Sequence, residues 1–325
     1  MSTSEAPSHL QVAASLYGIE ASELASLGAF ESDVYRYVGP EGPSVLKVMP
    51  PGHRTVDQVR AEVDWLLALI GEHITVSEPI RSRAGEWVEE LPSTGHLVIA
   101  YRQAPGTTAR PADWTEPMIE RWGELLGRLQ AHARTWAPPG PRRHALSDQT
   151  YLRRLGDMAE EFPVFHAAAA RLLAEARPLL SASGDDIGLI HADLHHGNLL
   201  QHAGALTAID FDDCAYGSYA FDLAMPLYYA VRSQRDRPAE AAMESFVPPF
   251  MRGFRRFAPD PAGGADAVDL ALRFRQAELV LALRAKLPAD GWTPNLIAIE
   301  EDLRARVENE VPFAAPGVLE RCLGG

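Results

Sequence analysis

The sequence predicts an α+β fold in two lobes: a small N-terminal lobe on a mixed β-sheet with one key helix, then a larger, mainly helical lobe. Short strand-like runs dominate residues up to Tyr101, long runs with apolar residues three and four apart dominate the remainder of the chain, and QAPGTTARP at 103–111, rich in turn residues, separates the two textures. The division expected from this is residues 1–101 for the first lobe and 102–325 for the second.

Taken in order, His9–Leu27 reads as one or two helices broken at Gly18. Gly28–Tyr37 turns strand-like, and after a turn at Gly39–Pro43 a second strand, Ser44–Met49, is stopped by Pro50 and Pro51. In that strand Val45, Lys47 and Met49 share a face. A lysine there is either the solvated residue of an edge strand or a cleft cation that binds an anion. The helix Val56–Ile70 bears on this choice, because Glu62 falls within its apolar stripe of Val59, Val63, Leu66 and Ile70. A carboxylate in such a stripe is costly without a cationic partner, and Lys47 is a ready one. A strand lysine paired with the glutamate of the next helix resembles the way protein kinases hold ATP phosphates. Strands are expected again at Ile74–Ile80 and His96–Tyr101, around a turn at Arg83–Glu86.

Pro117–Trp136 is strongly helical, with Met118, Ile119, Trp122, Leu125, Leu126 and Leu129 on one stripe. Ala137–Arg143 reads as loop. Helices are expected at Asp148–Glu160 and Val164–Leu180, then at Tyr219–Arg232, Ala239–Phe257, Ala265–Lys286 and Leu296–Glu310. Pro248–Pro249 should break or kink the helix that contains it.

The 325 residues carry 30 Lys plus Arg against 44 Asp plus Glu, a formal charge of −14 and a pI near 5.2. That excess of acid argues against nucleic-acid and anionic-membrane partners. No apolar run reaches the ~18–20 residues that span a bilayer. The start, MSTSEAPSHLQ, lacks a basic region followed by an apolar one. Cys214 and Cys322 stand far apart without metal-ligand spacing, which fits a reducing, cytoplasmic setting.

The chemistry concentrates in His191–Asn198, HADLHHGN, and Ile209–Cys214, IDFDDC. A short apolar strand, Ile187–Ile190, ends at His191; Asp193 and Asn198 then stand five apart, the catalytic-loop spacing of kinases. In that arrangement the aspartate orients the proton of an attacking hydroxyl and the asparagine offers a carbonyl oxygen to Mg²⁺. A second strand, Leu206–Ile209, would deliver Asp210 as carboxylate ligand to the same metal, a hard-oxygen set that Mg²⁺ prefers.

HADLHHGN resembles the HGDLHxGN signature of the aminoglycoside phosphotransferase and choline kinase group, and IDFDDC followed by FDLA resembles that group's metal motif and next helix. Lys47, Glu62 and VIAY at 98–101 fall in the matching order, so the resemblance covers most of the chain. It implies a protein-kinase-like fold and ATP-dependent (or other NTP-dependent) transfer of a γ-phosphoryl group, with Mg²⁺, to a hydroxyl of a small molecule. By resemblance Asp193 is the catalytic base, Asn198 and Asp210 the magnesium ligands, Lys47 the phosphate-binding lysine and Glu62 its partner. The backbone of Ala100, Tyr101 and Arg102 resembles the segment that receives adenine, and Asp222 of FDLA the aspartate that braces the catalytic loop, with His191 as a loop anchor. Three departures stand out: Ala192 where the signature has glycine, tolerable because alanine is small; His196 for a frequent proline; and a single glycine in Gly28–Tyr37, so that phosphate contact rests on amides near Ser32 and Asp33.

Four of the eleven histidines, His191, His195, His196 and His202, also allow a metallohydrolase reading. That reading leaves Lys47 and Glu62 without a role. An inactive nucleotide-binding relative is the other alternative, although every catalytic position is filled. For the acceptor the sequence favours an amine-bearing molecule, aminoglycoside-like or an amino alcohol, with homoserine, hydroxylysine and sugar derivatives as alternatives. Asp212, Asp213, Glu244 and Glu278 are the acidic candidates to line its site, with surface or structural roles the equal alternative, whereas Tyr228 and Tyr229 are either core residues, the better expectation, or residues that pack on a ligand.

Overall fold

A computed structural model describes residues 8–29, 31–40, 42–140, 142–234, 236–287 and 291–324. The first seven residues, on which the reading of the N-terminus rests, lie outside the described residues. The chain divides into two compact units, one of Met1–Pro105 with Pro138–Arg142, the other of Gly106–Ala137 with Arg143–Gly325.

The first unit opens with α1 (His9–Leu16), started by a capping box in which Ser8 and Gln11 exchange hydrogen bonds. It continues through β1 (Ala25–Ala29), β2 (Asp33–Gly39), β3 (Gly42–Met49), α2 (Val56–Gly71), β4 (Glu78–Ile80), β5 (Glu89–Glu90) and β6 (Leu97–Arg102). The strands form one sheet in the order β1-β2-β3-β6-β4, with β5 also on β6, and each of these pairings is antiparallel. Strand alternation sorts its two faces. Leu46, Val48, Val98 and Ala100 pack with Ala13, Ala14, Tyr17 and Ile19; Met49, Leu97 and Ile99 pack with Val59 and Val63 of α2. Of the one or two helices expected over His9–Leu27, the first and its break at Gly18 are present, whereas the second is corrected to a 3₁₀ turn, Ala21–Glu23, followed by β1. Gly18, at φ +74, follows α1, and Leu27 lies in β1 with 55 % exposure, so the leucine spacing past Gly18 reflects no buried helical face.

The second unit comprises β7 (Thr107–Thr108), α3 (Glu116–Ala133), α4 (Pro163–Ala176), β8 (Ile187–Ile190), β9 (Leu199–His202), β10 (Ala205–Ala208), β11 (Ala215–Ser218), α5 (Tyr219–Arg232), α6 (Ala239–Phe254), α7 (Gly264–Lys286), α8 (Pro294–Glu308) and α9 (Val318–Gly324). Two small ladders, β10-β9-β7 and β11-β8, carry the loops of interest. The helix expected at Asp148–Glu160 is a 3₁₀ run, Thr150–Met158.

α3 and α6 meet backbone to backbone. A Cβ on Gly123 would lie 1.9 Å from the Phe250 carbonyl oxygen, one on Gly127 2.5 Å from that of Phe254, and one on Gly253 1.9 Å from that of Glu120. Such an approach admits only glycine. It also explains why α6 runs on through Pro248–Pro249 instead of breaking there. Phe246, Phe250 and Phe254 are buried at this contact, while Glu244 and Ser245, whose carbonyls the prolines leave without helical donors, are exposed to water. No described helix is long and apolar enough to cross a membrane.

Candidate active site

In the second unit β8 delivers His191 into the core, and this imidazole fixes the adjoining loop. Its Nδ1 accepts the Asp193 N–H at 3.3 Å, so its Nε2 carries the proton and donates to the Ile209 carbonyl at 3.1 Å. Burial lowers its pKa, keeping the ring neutral as that pattern requires. The next residue, Ala192, has φ +66, and its N–H donates to Asp222 Oδ1 at 2.9 Å. Glycine is usual at such a position because its φ is positive; the small size of alanine is beside the point, and Ala192 carries a conformational cost. Asp222 is wholly buried and also takes Gln130 Nε2 at 3.4 Å. Burial pushes its carboxyl up to about 7 against the donors that surround it.

Asp193 therefore projects from a loop held at both ends. Asn198 Nδ2 reaches the Asp193 carbonyl at 3.0 Å and its carboxylate Oδ2 at 3.4 Å, which orients the Asn198 amide and leaves its oxygen to face elsewhere. His195 Nδ1 accepts the Gly197 N–H at 2.9 Å, and its Nε2 stands 3.4 Å from Asp193 Oδ2. Arg275 Nη2 stands 2.6 Å from Oδ1. Burial pushes the Asp193 carboxyl up, but His195 and Arg275 outweigh it and hold the group below the usual aspartate value. The Ile209 N–H donates to the Asn198 carbonyl at 3.0 Å, tying the end of the β9–β10 hairpin to the loop. The following residue, Asp210, is exposed with φ +60, a conformation that aspartate tolerates better than most residues. Two oxygen donors, Asn198 Oδ1 and the Asp210 carboxylate, thus belong to segments that hydrogen bonds join through Ile209, and a hard divalent cation suits that donor set.

In the first unit Lys47 pairs with Ile99 across β3–β6, and Val45 with Tyr101, so Lys47 and Tyr101 share the face toward α2. Buried Glu62 of α2 accepts the Tyr101 hydroxyl at 2.7 Å, which brings its carboxylate to the face that carries Lys47. Ser32, 6 % exposed, has a buried hydroxyl with no hydrogen-bond partner among the described residues; such an orphan just before β2 suits a phosphate ligand. The adenine-receiving backbone is corrected. Ala100, Tyr101 and Arg102 lie inside β6, between β3 and β4, where both edges of the strand are spent on the sheet. Arg102 pairs with Glu78 at 3.0 Å, and the Gln103 N–H donates to the Pro43 carbonyl at 3.0 Å. Backbone free of the ladder begins only beyond that point.

Residues 23–259 match the profile of the phosphotransferase enzyme family. The chain belongs to this family. Over 254 residues, 75 % of each chain, the phosphotransferase is 30 % identical to amicoumacin kinase of Bacillus subtilis. Its fold is similar to that of an amicoumacin kinase solved with AMP-PNP, Ca²⁺ and Ami, at TM-score 0.86, 25 % identity and 96 % of both chains. It is also similar to that of a microcompartment-associated aminopropanol kinase, at TM-score 0.69, 23 % identity, and 92 % and 94 % of the two chains. The protein-kinase-like, bilobal α+β reading holds, and the phosphotransferase acts on a hydroxyl group of a small molecule. A metallohydrolase reading lacks its ligands: among the described residues, His191, His195, His196 and His202 do not gather into a three-ligand set.

Of the acidic residues expected to line the acceptor site of the phosphotransferase, Glu278 has its carboxylate engaged elsewhere. Glu278 is 3 % exposed, and both its oxygens are taken, one by the Tyr151 hydroxyl at 2.6 Å and one by Arg275 Nη1 at 2.8 Å. Exposed Glu244 on α6 stands beside Cys322 of α9, where its charge adds to burial in raising that thiol. Asp212 is buried, and its carbonyl accepts from Arg143, which also donates to the Cys214 carbonyl at 2.7 Å. Asp213 adds, after burial and Glu278, to the raised pKa of Tyr151.

Tyr228 is buried as expected, at 2 % exposure, but Tyr229 is half-buried, its ring 4.5 Å from His195 and its hydroxyl 3.0 Å from Arg275. Arg275, Tyr151, Gln130 and Arg143 escaped sequence reading because no short motif holds them; Arg275 is 82 positions from Asp193. One signal was available. Val268, Ala271, Leu272, Arg275 and Glu278 fall on one helical stripe, and a charged pair inside an apolar stripe is a buried ion pair in the making.

Proposed function

We propose that the phosphotransferase moves the γ-phosphoryl group of MgATP to a hydroxyl of an amicoumacin-class antibiotic in the cytoplasm. The likeness to amicoumacin kinase carries the choice of acceptor, since it runs through three quarters of the chain and includes a fold relative solved with a nucleotide analogue, a divalent cation and Ami.

Within the reaction Asp193, ionised and fixed by the loop, accepts the hydrogen bond of the acceptor hydroxyl and takes its proton as the oxygen bonds to phosphorus. Lys47, kept in place with Glu62, holds the nucleotide phosphates, and the orphaned Ser32 hydroxyl adds a donor to them. Backbone beyond Gln103, at 104–105, receives adenine. Asn198 and Asp210 would hold the magnesium ion, which when bound neutralises charge on the β- and γ-oxygens.

The test incubates the protein with MgATP and, in separate arms, amicoumacin A, kanamycin and 1-amino-2-propanol, following the products by mass spectrometry. Amicoumacin A should gain one phosphoryl group, and Asp193→Asn should lose turnover by roughly 10²–10⁴-fold while still binding MgATP. Turnover of the amino alcohol alone would overturn the acceptor assignment; undiminished turnover in the variant would remove Asp193 as the base.

A further inference from the structure

The two carboxylate oxygens of Asp193 are not equivalent. Oδ1 is held by a short, charge-assisted contact, Arg275 Nη2 at 2.6 Å. Among the described residues Oδ2 has two longer approaches, His195 Nε2 and Asn198 Nδ2, each at 3.4 Å. Arg275 is itself fixed: its other terminal nitrogen is 2.8 Å from Glu278 Oε2, the Tyr229 hydroxyl accepts from Nη2 at 3.0 Å, and Tyr151 donates to the remaining oxygen of Glu278 at 2.6 Å. The side chains of Arg275 and Glu278 are 10 % and 4 % exposed, against 19 % for Asp193. A planar guanidinium clamped by a carboxylate at one end is a rigid arm, and it presents its other terminal nitrogen to one oxygen of the base. Nothing in the catalytic-loop motif supplies this arm. It comes from α7, with Tyr151 behind it in the 3₁₀ segment Thr150–Met158.

We propose that Arg275 is a positioning residue for the phosphoryl transfer: by occupying Oδ1 it fixes the carboxylate plane of Asp193 and leaves Oδ2 as the oxygen that receives the acceptor's proton. In the step itself the acceptor oxygen bonds to the γ-phosphorus, the bond from that phosphorus to the β,γ-bridging oxygen breaks, the electron pair leaves with ADP, and the hydroxyl proton passes to Oδ2. Arg275 makes no bond to the reacting atoms. Rotation of the carboxylate without it would turn Oδ2 away from the line of the hydroxyl, and displacements of about 1 Å at a reacting group are enough to cost about 100-fold in rate. Glu278 and Tyr151 belong to the same device one and two steps removed, so their effects should take the same sense and diminish with distance.

The inference rests on Asp193 being the base, and the experiment separates the two claims. Steady-state kinetics with MgATP and amicoumacin A are compared for the unmodified protein, Asp193→Asn, Arg275→Lys, the double variant Arg275→Gln with Glu278→Gln, and Tyr151→Phe, each with its thermal midpoint. The double variant avoids leaving a lone buried charge, and Tyr151→Phe tests the arm from its far end should the arginine variants not fold. Expected are a fall in kcat of roughly 10- to 100-fold in the double variant, partial recovery in Arg275→Lys, a smaller fall in Tyr151→Phe, and an unchanged KM for ATP throughout. Unchanged kcat in the double variant, while Asp193→Asn is inactive, sinks the role of Arg275 and leaves the base in place. A rise in kcat identifies the arginine as a block on the base, and a change confined to the KM for the acceptor identifies it as a binding residue; either result overturns the proposal. Full activity in Asp193→Asn removes the base and the inference with it.

Discussion

Asp222 shows how one buried carboxyl governs the catalytic loop. With no solvent exposure and a pKa pushed up to about 7 from 3.8, it holds a proton in the folded protein over a range in which the unfolded chain has lost it. Between about pH 4 and pH 7 the folded state thus binds the extra proton, and stability falls as pH rises through that window. A shift of about three pKa units is worth on the order of 4 kcal/mol at most. Denaturant midpoints at pH 5 and pH 8 should show this fall in the unmodified protein and a flatter profile in Asp222→Asn; parallel profiles in the two would count against it. The spacing of HADLHHGN is a property of the chain, so the sequence alone brought Asp193, Asn198 and His191 into one loop. Ala192 marks where sequence reading stopped, because residue size is visible in a sequence whereas a φ of +66 is not. Arg275 marks the other limit. Its approach to Asp193 depends on how α7 packs, a long-range property that no local pattern encodes.

At the scale of elements, periodicity placed α5 at its observed bounds and came within a few residues for α2, α3 and α7, because their buried stripes are long. It failed for the stretch after α1, where Gly18 follows the helix, Leu24 closes a 3₁₀ turn and Leu27 belongs to an edge strand. The proline pair, expected to break or kink its helix, does not break it: the rule about helix breaking is local, and contact between α3 and α6 overrides it. That contact makes a strong demand on three glycines. Gly123→Ala would push a methyl group to within 1.9 Å of the Phe250 carbonyl oxygen, with no flexible side chain to give way, and should cost about 3 kcal/mol. Urea unfolding would measure it, and Gly253→Ala, which meets Glu120 at the same distance, should match it. A loss under about 0.5 kcal/mol in both variants, the scale of an ordinary surface change, would mean that the helices separate freely.

For the whole molecule, the reaction class followed from motif order along the chain, whereas the buried engagement of Glu278 did not, because a carboxylate on a helix can face a site, the core or water, and composition does not tell these apart. Nucleotide binding has a global readout. With MgATP at about 100 times its dissociation constant the folded state gains about 2.7 kcal/mol, so the thermal midpoint should rise by several degrees. Lys47→Ala and Asp210→Asn should each lose most of that rise, and a rise of full size in both variants would remove them from the nucleotide and metal sites. The way the chain partitions has its own consequence. Pro138–Arg142 belongs to the first compact unit although it is spelled out after α3, deep within the second. The backbone therefore passes from unit to unit three times, and no single cut releases either one whole. A truncation after Pro105 would strip the first unit of five residues that it uses, and exchange of N-terminal halves between relatives would combine a lobe from one parent with a strap from the other. The gene is one piece for the purposes of recombination even where the molecule is two.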